Sequence, residues 1–166
     1  NDPQYDTPEK RGQLISSIMQ EQYDLVKKYV ANPVFGTNLY GETMELYQQG
    51  LIELPDNVIM IWADNGYGKM VSRRQGNHNP RVPALPGEGL GDRRHGVYYH
   101  VSFYDLQAAN VLTMLPNPME FVKKELKHAY DCGISTLWLV NCTNIKPHVY
   151  PLDFAATLWN SLETER

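Results

Sequence analysis

No stretch of this 166-residue chain approaches the roughly 18 consecutive apolar residues of a membrane-spanning helix, so no membrane partner is expected. Cysteine is scarce: Cys132 and Cys142 flank a predicted strand without metal-ligand spacing, and reduced structural thiols are expected rather than a disulfide framework. The five histidines are scattered, so neither a metal nor another cofactor is expected. Positive charge is also in deficit. Fifteen Lys and Arg against nineteen Asp and Glu give a formal charge of −4, which argues against a nucleic-acid partner, because phosphate binding needs clustered cations. A phosphate-cradling loop is missing as well. Gly66-Tyr67-Gly68-Lys69 follows a predicted strand but lacks the spacing and the hydroxyl residue of a P-loop, and Gly87-Glu88-Gly89 follows no strand. There is no nucleophile elbow to support a Ser-His-Asp arrangement. Asn141-Cys142-Thr143 matches a glycosylation sequon, but at a buried strand end it is a weak signal.

What is present is a globular composition, 42% hydrophobic and 20% charged. The length suits a single domain spanning 1–166, burying roughly two-thirds of its unfolded surface, or a fragment of a larger one. The chain opens at Asn1 with neither an initiator methionine nor a signal peptide, so a processed or excised segment is expected and the compartment is left open.

Periodicity supplies the elements. Thr7-Pro8-Glu9 is a helix start, with Thr7 at the N-cap and Pro8 pre-set for the first helical position. Leu14, Ile15, Ile18, Met19, Leu25, Val26, Tyr29 and Val30 recur at helical spacing, predicting an amphipathic helix of about 22 residues whose apolar positions are core. A short strand over 34–40, a helix over 42–49 stopped by Gly50, and a strong strand over 58–64 follow. The stretch 65–96 is rich in glycine and proline and has no usable period; a loop of this length is usually functional or mobile. A strand over 97–103 comes next, then an ambiguous segment over 105–115. A helix over 119–131, a strand over 136–141 and a terminal helix over 151–163 complete the chain.

Strands that are continuous apolar runs, such as Val58-Ile59-Met60-Ile61-Trp62-Ala63, suit a parallel sheet covered on both faces. The alternation predicts an α/β fold of parallel βα units. Four strands cannot close an eight-stranded barrel, which takes about 250 residues, so the sheet is open or is part of a larger (β/α) barrel.

In parallel sheets chemistry gathers at the carboxyl ends of the strands. The groups expected there are Tyr40 and Glu42, Asp64 and Asn65, His100 and Ser102, and Asn141 with Lys146. Asp64 reads equally well as a general acid or base and as a loop cap. Glu42 reads as a catalytic carboxylate or as a first-turn complement to the helix dipole. His100 reads as a ligand-contacting or a core imidazole. Trp62, Tyr67, Tyr98, Tyr99 and Tyr104 would suit stacking on sugar rings, or core packing. Arg73, Arg74, Arg81, Arg93 and Arg94 form a basic cluster of solvated charges or of anion-recognising forks.

Three segments in this order, Trp62-Ala63-Asp64-Asn65-Gly66-Tyr67-Gly68, Gly96-Val97-Tyr98-Tyr99-His100-Val101-Ser102, and Leu137-Trp138-Leu139-Val140-Asn141 with Ile145-Lys146-Pro147, resemble the serial motifs of glycoside hydrolase family 115, the xylan α-1,2-glucuronidases. Tyr40-Gly41-Glu42 and Glu45-Leu46-Tyr47 also look similar. The resemblance implies part of a TIM-like catalytic barrel, completed by the remaining barrel units of the full-length chain. It implies an inverting enzyme that removes glucuronic acid or its 4-O-methyl form from a polysaccharide or oligosaccharide. It implies Asp64 and Glu42 as the acid and base, with Tyr67, Tyr99, His100, Asn141 and Lys146 binding substrate. An alternative is a carbohydrate-binding relative that has lost the chemistry. The family shows Asp-Asp-Asn-Tyr-Gly where this chain has Asp64-Asn65-Gly66-Tyr67-Gly68, so a second carboxylate is missing at Asn65; Asn144 likewise stands where Asp is commoner.

Overall fold

The computed structural model describes residues 6–72, 82–87, 93–105, 110–112 and 115–164. In chain order the elements are α1 (Pro8–Lys27), β1 (Phe35–Leu39), α2 (Glu42–Gln48), β2 (Val58–Ala63), β3 (His95–His100), β4 (Phe103–Asp105), β5 (Asn110–Leu112), α3 (Met119–Asp131), β6 (Leu137–Asn141) and α4 (Val149–Thr164). The main sheet has the order β1-β2-β3-β6 with every neighbouring pair parallel. The ambiguous segment forms strands: β4 and β5 pair antiparallel as a small separate sheet.

The sequence signals act where expected at the helix ends. Thr7 Oγ1 accepts the Lys10 N–H at 3.3 Å, capping α1 directly before Pro8. Gly50 adopts φ +74 after α2, and its N–H and that of Leu51 return to Tyr47 and Leu46, closing the helix. The apolar period of α1 runs past the helix itself. Against the expectation of core, Ile18, Leu25 and Val26 within α1 are 44, 54 and 36% exposed, and Tyr29 and Val30 beyond its end are 81 and 46% exposed, so the helix lies on the sheet with only part of its apolar period covered.

Leu39, Trp62, Val97 and Trp138 form one row across the sheet, since each is in register with the next. All four helices pack on the face that this row marks. Tyr23 of α1 lies on Phe35 with ring centroids 4.6 Å apart, Tyr47 of α2 on Trp62 at 6.1 Å, and Tyr130 of α3 and Trp159 of α4 on Trp138 at 6.5 and 4.9 Å. The opposite face, by strand alternation, carries Ile59, Ile61, Ala63, Tyr98 and Leu139. A doubly wound sheet has helices on both faces, whereas a barrel keeps them all outside. The chain is therefore built as a portion of a TIM-like barrel wall, with its inner face apolar.

The link from β2 to β3 departs from the helical crossovers around it. Its described parts fold back through paired bonds, Ser72 N–H to Val82 O at 2.7 Å and Ala84 N–H to Met70 O at 3.1 Å. Met70, Ala84 and Leu85 are buried in the core, so this link packs against the sheet without a helix among the described residues.

Two tests follow from the packing. A Cβ on Gly12 would lie 2.1 Å from Leu51 O, so α1 touches the chain behind α2 through a bare backbone. Gly12→Ala should destabilise the fold by about 1–3 kcal/mol in thermal unfolding, despite an intrinsic helix gain of about 1 kcal/mol. Buried His95 accepts the Trp62 indole N–H on Nδ1 at 3.1 Å, which requires that nitrogen to be unprotonated. Burial, and then the Arg93 charge, hold its pKa below the ordinary value. The unfolded chain thus binds a proton that the folded one rejects, so this stability is present above about pH 6.5 and lost as the pH falls below it. Melting temperatures between pH 7 and pH 5 should fall less steeply in His95→Gln than in the wild type.

Candidate functional site

β3 runs two residues beyond the register that ends β2 at Ala63, opposite Tyr98. There Asp64 continues the ladder with its side chain. Its own N–H bonds Tyr98 O at 3.1 Å, and its Oδ2 accepts the His100 N–H at 3.1 Å. Oδ2 also accepts Gly68 N–H and Oδ1 accepts Gly66 N–H, both at 2.9 Å. The His100 ring approaches Oδ1 through Nδ1 at 2.5 Å. Both carboxylate oxygens are doubly engaged, and Asp64 is fully buried.

The turn that Asp64 holds needs its glycines. Gly66 and Gly68 have φ +86 and +82, and a Cβ on them would meet the Phe103 ring at 2.8 Å and Asn117 Nδ2 at 2.6 Å. Asn65 pins the other strand of the turn: its Oδ1 accepts Tyr67 N–H at 2.9 Å and Lys69 N–H at 3.2 Å. Both partners are donors, which fixes the amide orientation and leaves Nδ2 without a hydrogen-bond partner among the described residues.

Most of the residues expected at the site do gather on the carboxyl edge, in different states. Tyr99 is wholly buried, its hydroxyl donates to Gly68 O at 2.9 Å, and burial near Asp64 and Glu125 raises its pKa. It shapes the turn from beneath and has no surface for a ligand. Trp62, also enclosed, is core. Tyr67 is half-buried, edge-on to Phe103 at 5.6 Å, with its carbonyl held by Asn117 Nδ2 at 2.8 Å. Asn141 is spent internally: Nδ2 donates to Tyr98 Oη at 2.8 Å and Oδ1 accepts Thr143 N–H at 3.1 Å. The sequon is accordingly committed to the fold. Lys146 is exposed in a short 3-10 turn and makes no ion pair among the described residues. Glu42, 60% exposed at the side chain, opens α2 and pairs with Arg11 Nε at 2.5 Å.

Arg73, Arg74, Arg81 and the side chain of Tyr104 lie outside the described residues. Arg93 donates to Leu54 O at 3.2 Å, and it and Arg94 precede β3. They stand at the amino edge, away from the carboxyl edge by the length of a six-residue strand, roughly 20 Å. An anion at the carboxyl edge is beyond the reach of these two. Cys132 and Cys142 are free thiols. Among the described residues, no three His, Cys, Asp or Glu side chains could hold a metal.

Sequence reasoning passed over His148 and Asn117. His148 is fully buried, with Nδ1 2.6 Å from Asn144 O; a carbonyl only accepts, so Nδ1 carries the hydrogen. With His100 it lines a cavity of about 310 Å³ between the end of β3 and the N-termini of α3 and α4. Lys146-Pro147-His148 after a strand was the available signal, but a lone histidine two residues past a lysine does not announce burial. Thr143, in the same corner, holds φ +54 and bonds Ser102 through paired hydroxyls. Such a conformation in a β-branched residue is strained, and strain of this kind collects at binding sites.

Helices on one face and polar groups at the carboxyl edge define a protein of the (β/α)-barrel class with a rim site. The chain belongs to glycosyl hydrolase family 115, which matches residues 1–166. Among solved structures it is similar to a family 115 4-O-methyl-α-glucuronidase with specificity for decorated arabinogalactans, at 26% identity and a TM-score of 0.76. That likeness covers 96% of this chain and 20% of the other, so the chain spans about a fifth of the enzyme's length. No curated protein matches it.

Removal of the Asp64 carboxylate tests its place in this edge. Asp64→Ala should cost about 3–5 kcal/mol in denaturant unfolding, because the His100 ring and three N–H groups would be left buried without their acceptor.

Proposed function

We propose that the full-length protein is a glycoside hydrolase that removes glucuronic acid, or its 4-O-methyl ether, from a glycan with inversion. The likeness to a 4-O-methyl-α-glucuronidase over 96% of the chain carries this reading. Inversion needs an acid and a base about 6.5–9.5 Å apart with water between them. Glu42, with its side chain 60% exposed on the described edge and paired with Arg11, has the solvent access a base needs. Asp64 was the other expected partner. Enclosed as it is, it acts through His100: its Oδ1 takes the Nδ1 hydrogen and holds the ring that lines the cavity at the end of β3. The second carboxyl then comes from the remaining barrel units. Lys146 takes the uronate carboxylate, and the half-buried Tyr67 borders the sugar.

A second reading, a carbohydrate-binding relative without turnover, is favoured by Asn65. Its side chain has an amide donor without a partner among the described residues where the family has a carboxylate, which suits an anionic sugar held but not cleaved.

The test is release of uronic acid from glucuronoxylan and from glucuronylated arabinogalactan by the full-length protein. Release that falls at least a hundredfold in Glu42→Gln supports the enzyme. Asn65→Asp keeps both N–H bonds of the turn and should fold as the wild type does. No release from either protein, with uronate binding retained, favours the second reading.

A further inference from the structure

A chain of hydrogen bonds at the end of β6 has a direction that the backbone imposes. Thr143 N–H, which can only donate, reaches Asn141 Oδ1 at 3.1 Å. That settles the amide: Asn141 Nδ2 is the donor and Tyr98 Oη the acceptor, at 2.8 Å. The corner that starts the chain is itself held, since Thr143 keeps its strained φ of +54 while its hydroxyl bonds that of Ser102. Strain of this kind persists only where the surroundings over-determine it.

The consequence falls on Tyr98, which strand alternation places on the inner face of the sheet. A phenolic hydrogen lies near the plane of its ring, on one of two sides, and the Nδ2–H group approaching Oη turns it from the Asn141 side. Its neighbours in register on this face are Ala63 and Leu139, neither with a side-chain acceptor. Leu139 is 41% exposed and Tyr98 half-buried, so a ligand has access to this part of the face. The Tyr98 ring also packs edge-on against His100, with centroids 4.7 Å apart, which sets it beside the unit that Asp64 holds. Its hydroxyl is a donor whose direction is fixed before a ligand arrives.

We infer that Tyr98 is a specificity-determining residue that donates its hydroxyl hydrogen to the carboxylate of the uronic acid, with Asn141 and Thr143 as the positioning residues that keep it a donor. The inference rests on the reading above that the ligand carries a uronic acid. Sugar hydroxyls both donate and accept, whereas a carboxylate only accepts. A donor that cannot be reversed therefore favours the carboxylate, and its bond to a charged oxygen is of the stronger kind. Lys146 supplies a point charge on a flexible stem; Tyr98 supplies the direction.

The experiment is an NMR titration of the full-length protein with glucuronic acid, over the wild type, Tyr98→Phe, Asn141→Asp and the double variant. Tyr98→Phe keeps the ring against His100 and should weaken binding at least tenfold. An aspartate at position 141 accepts from both Thr143 N–H and the Tyr98 hydroxyl, which draws the tyrosine hydrogen away from the ligand. In that background Tyr98→Phe should change the affinity less than twofold, and the added charge cancels because both proteins carry it. An equal loss in the two backgrounds overturns the inference, as does a wild type that binds no more tightly than Tyr98→Phe. Glucose, which lacks the carboxylate, should bind weakly and alike in the wild type and Tyr98→Phe; a tenfold loss there also overturns the inference, by assigning the hydroxyl to an oxygen that both sugars share. A wild type that does not bind glucuronic acid overturns the inference together with the reading it rests on. Binding in the expected pattern without release of uronic acid fails the enzymatic reading alone.

Discussion

The carboxylate of Asp64 is the constraint on which this edge of the molecule depends. It takes the place of a backbone carbonyl at the point where β2 has ended and β3 goes on, so that the His100 N–H is not stranded. The same two oxygens bind the N–H groups of Gly66 and Gly68 and the His100 ring. A buried charge is tolerable only when its bonding capacity is met, and here four donors meet it. The turn, the strand end and the imidazole therefore form one rigid unit, supported from below by the Tyr99 hydroxyl on Gly68 O.

That unit rests on a sheet with two unlike faces. The face bearing Leu39, Trp62, Val97 and Trp138 is sealed by all four helices. The other is apolar and, among the described residues, carries no helix, as expected of the inside of a barrel wall. In the described parts of the crossover between β2 and β3, Met70, Ala84 and Leu85 are buried in the core. Its start is anchored by Glu125 of α3, which accepts Met70 N–H at 2.9 Å.

The carboxyl edge separates its charges. Asp64 is enclosed and directs His100; Glu42 stays at the surface against Arg11; Lys146 stands on the turn before α4. Asn65 Oδ1 holds the turn through the Tyr67 and Lys69 N–H groups.

The sequence by itself determined the elements, their parallel arrangement and the family. Local chemistry governs each of these: the Thr7 cap, the Gly50 stop and the continuous apolar run of β2 act within a few residues, and the motifs around Asp64 and His100 are contiguous. The edge residues were legible as a set because strand ends are local too. Their individual states were not. Whether Asp64 faces a ligand or a ring of N–H groups depends on a two-residue stagger between β2 and β3. Whether Tyr99 or Tyr98 is enclosed depends on which face the helices cover. His148 joins His100 only because the turn after β6 brings the start of α4 beside α3. These are long-range relations between elements, set by packing and register, and only the tertiary structure decided them.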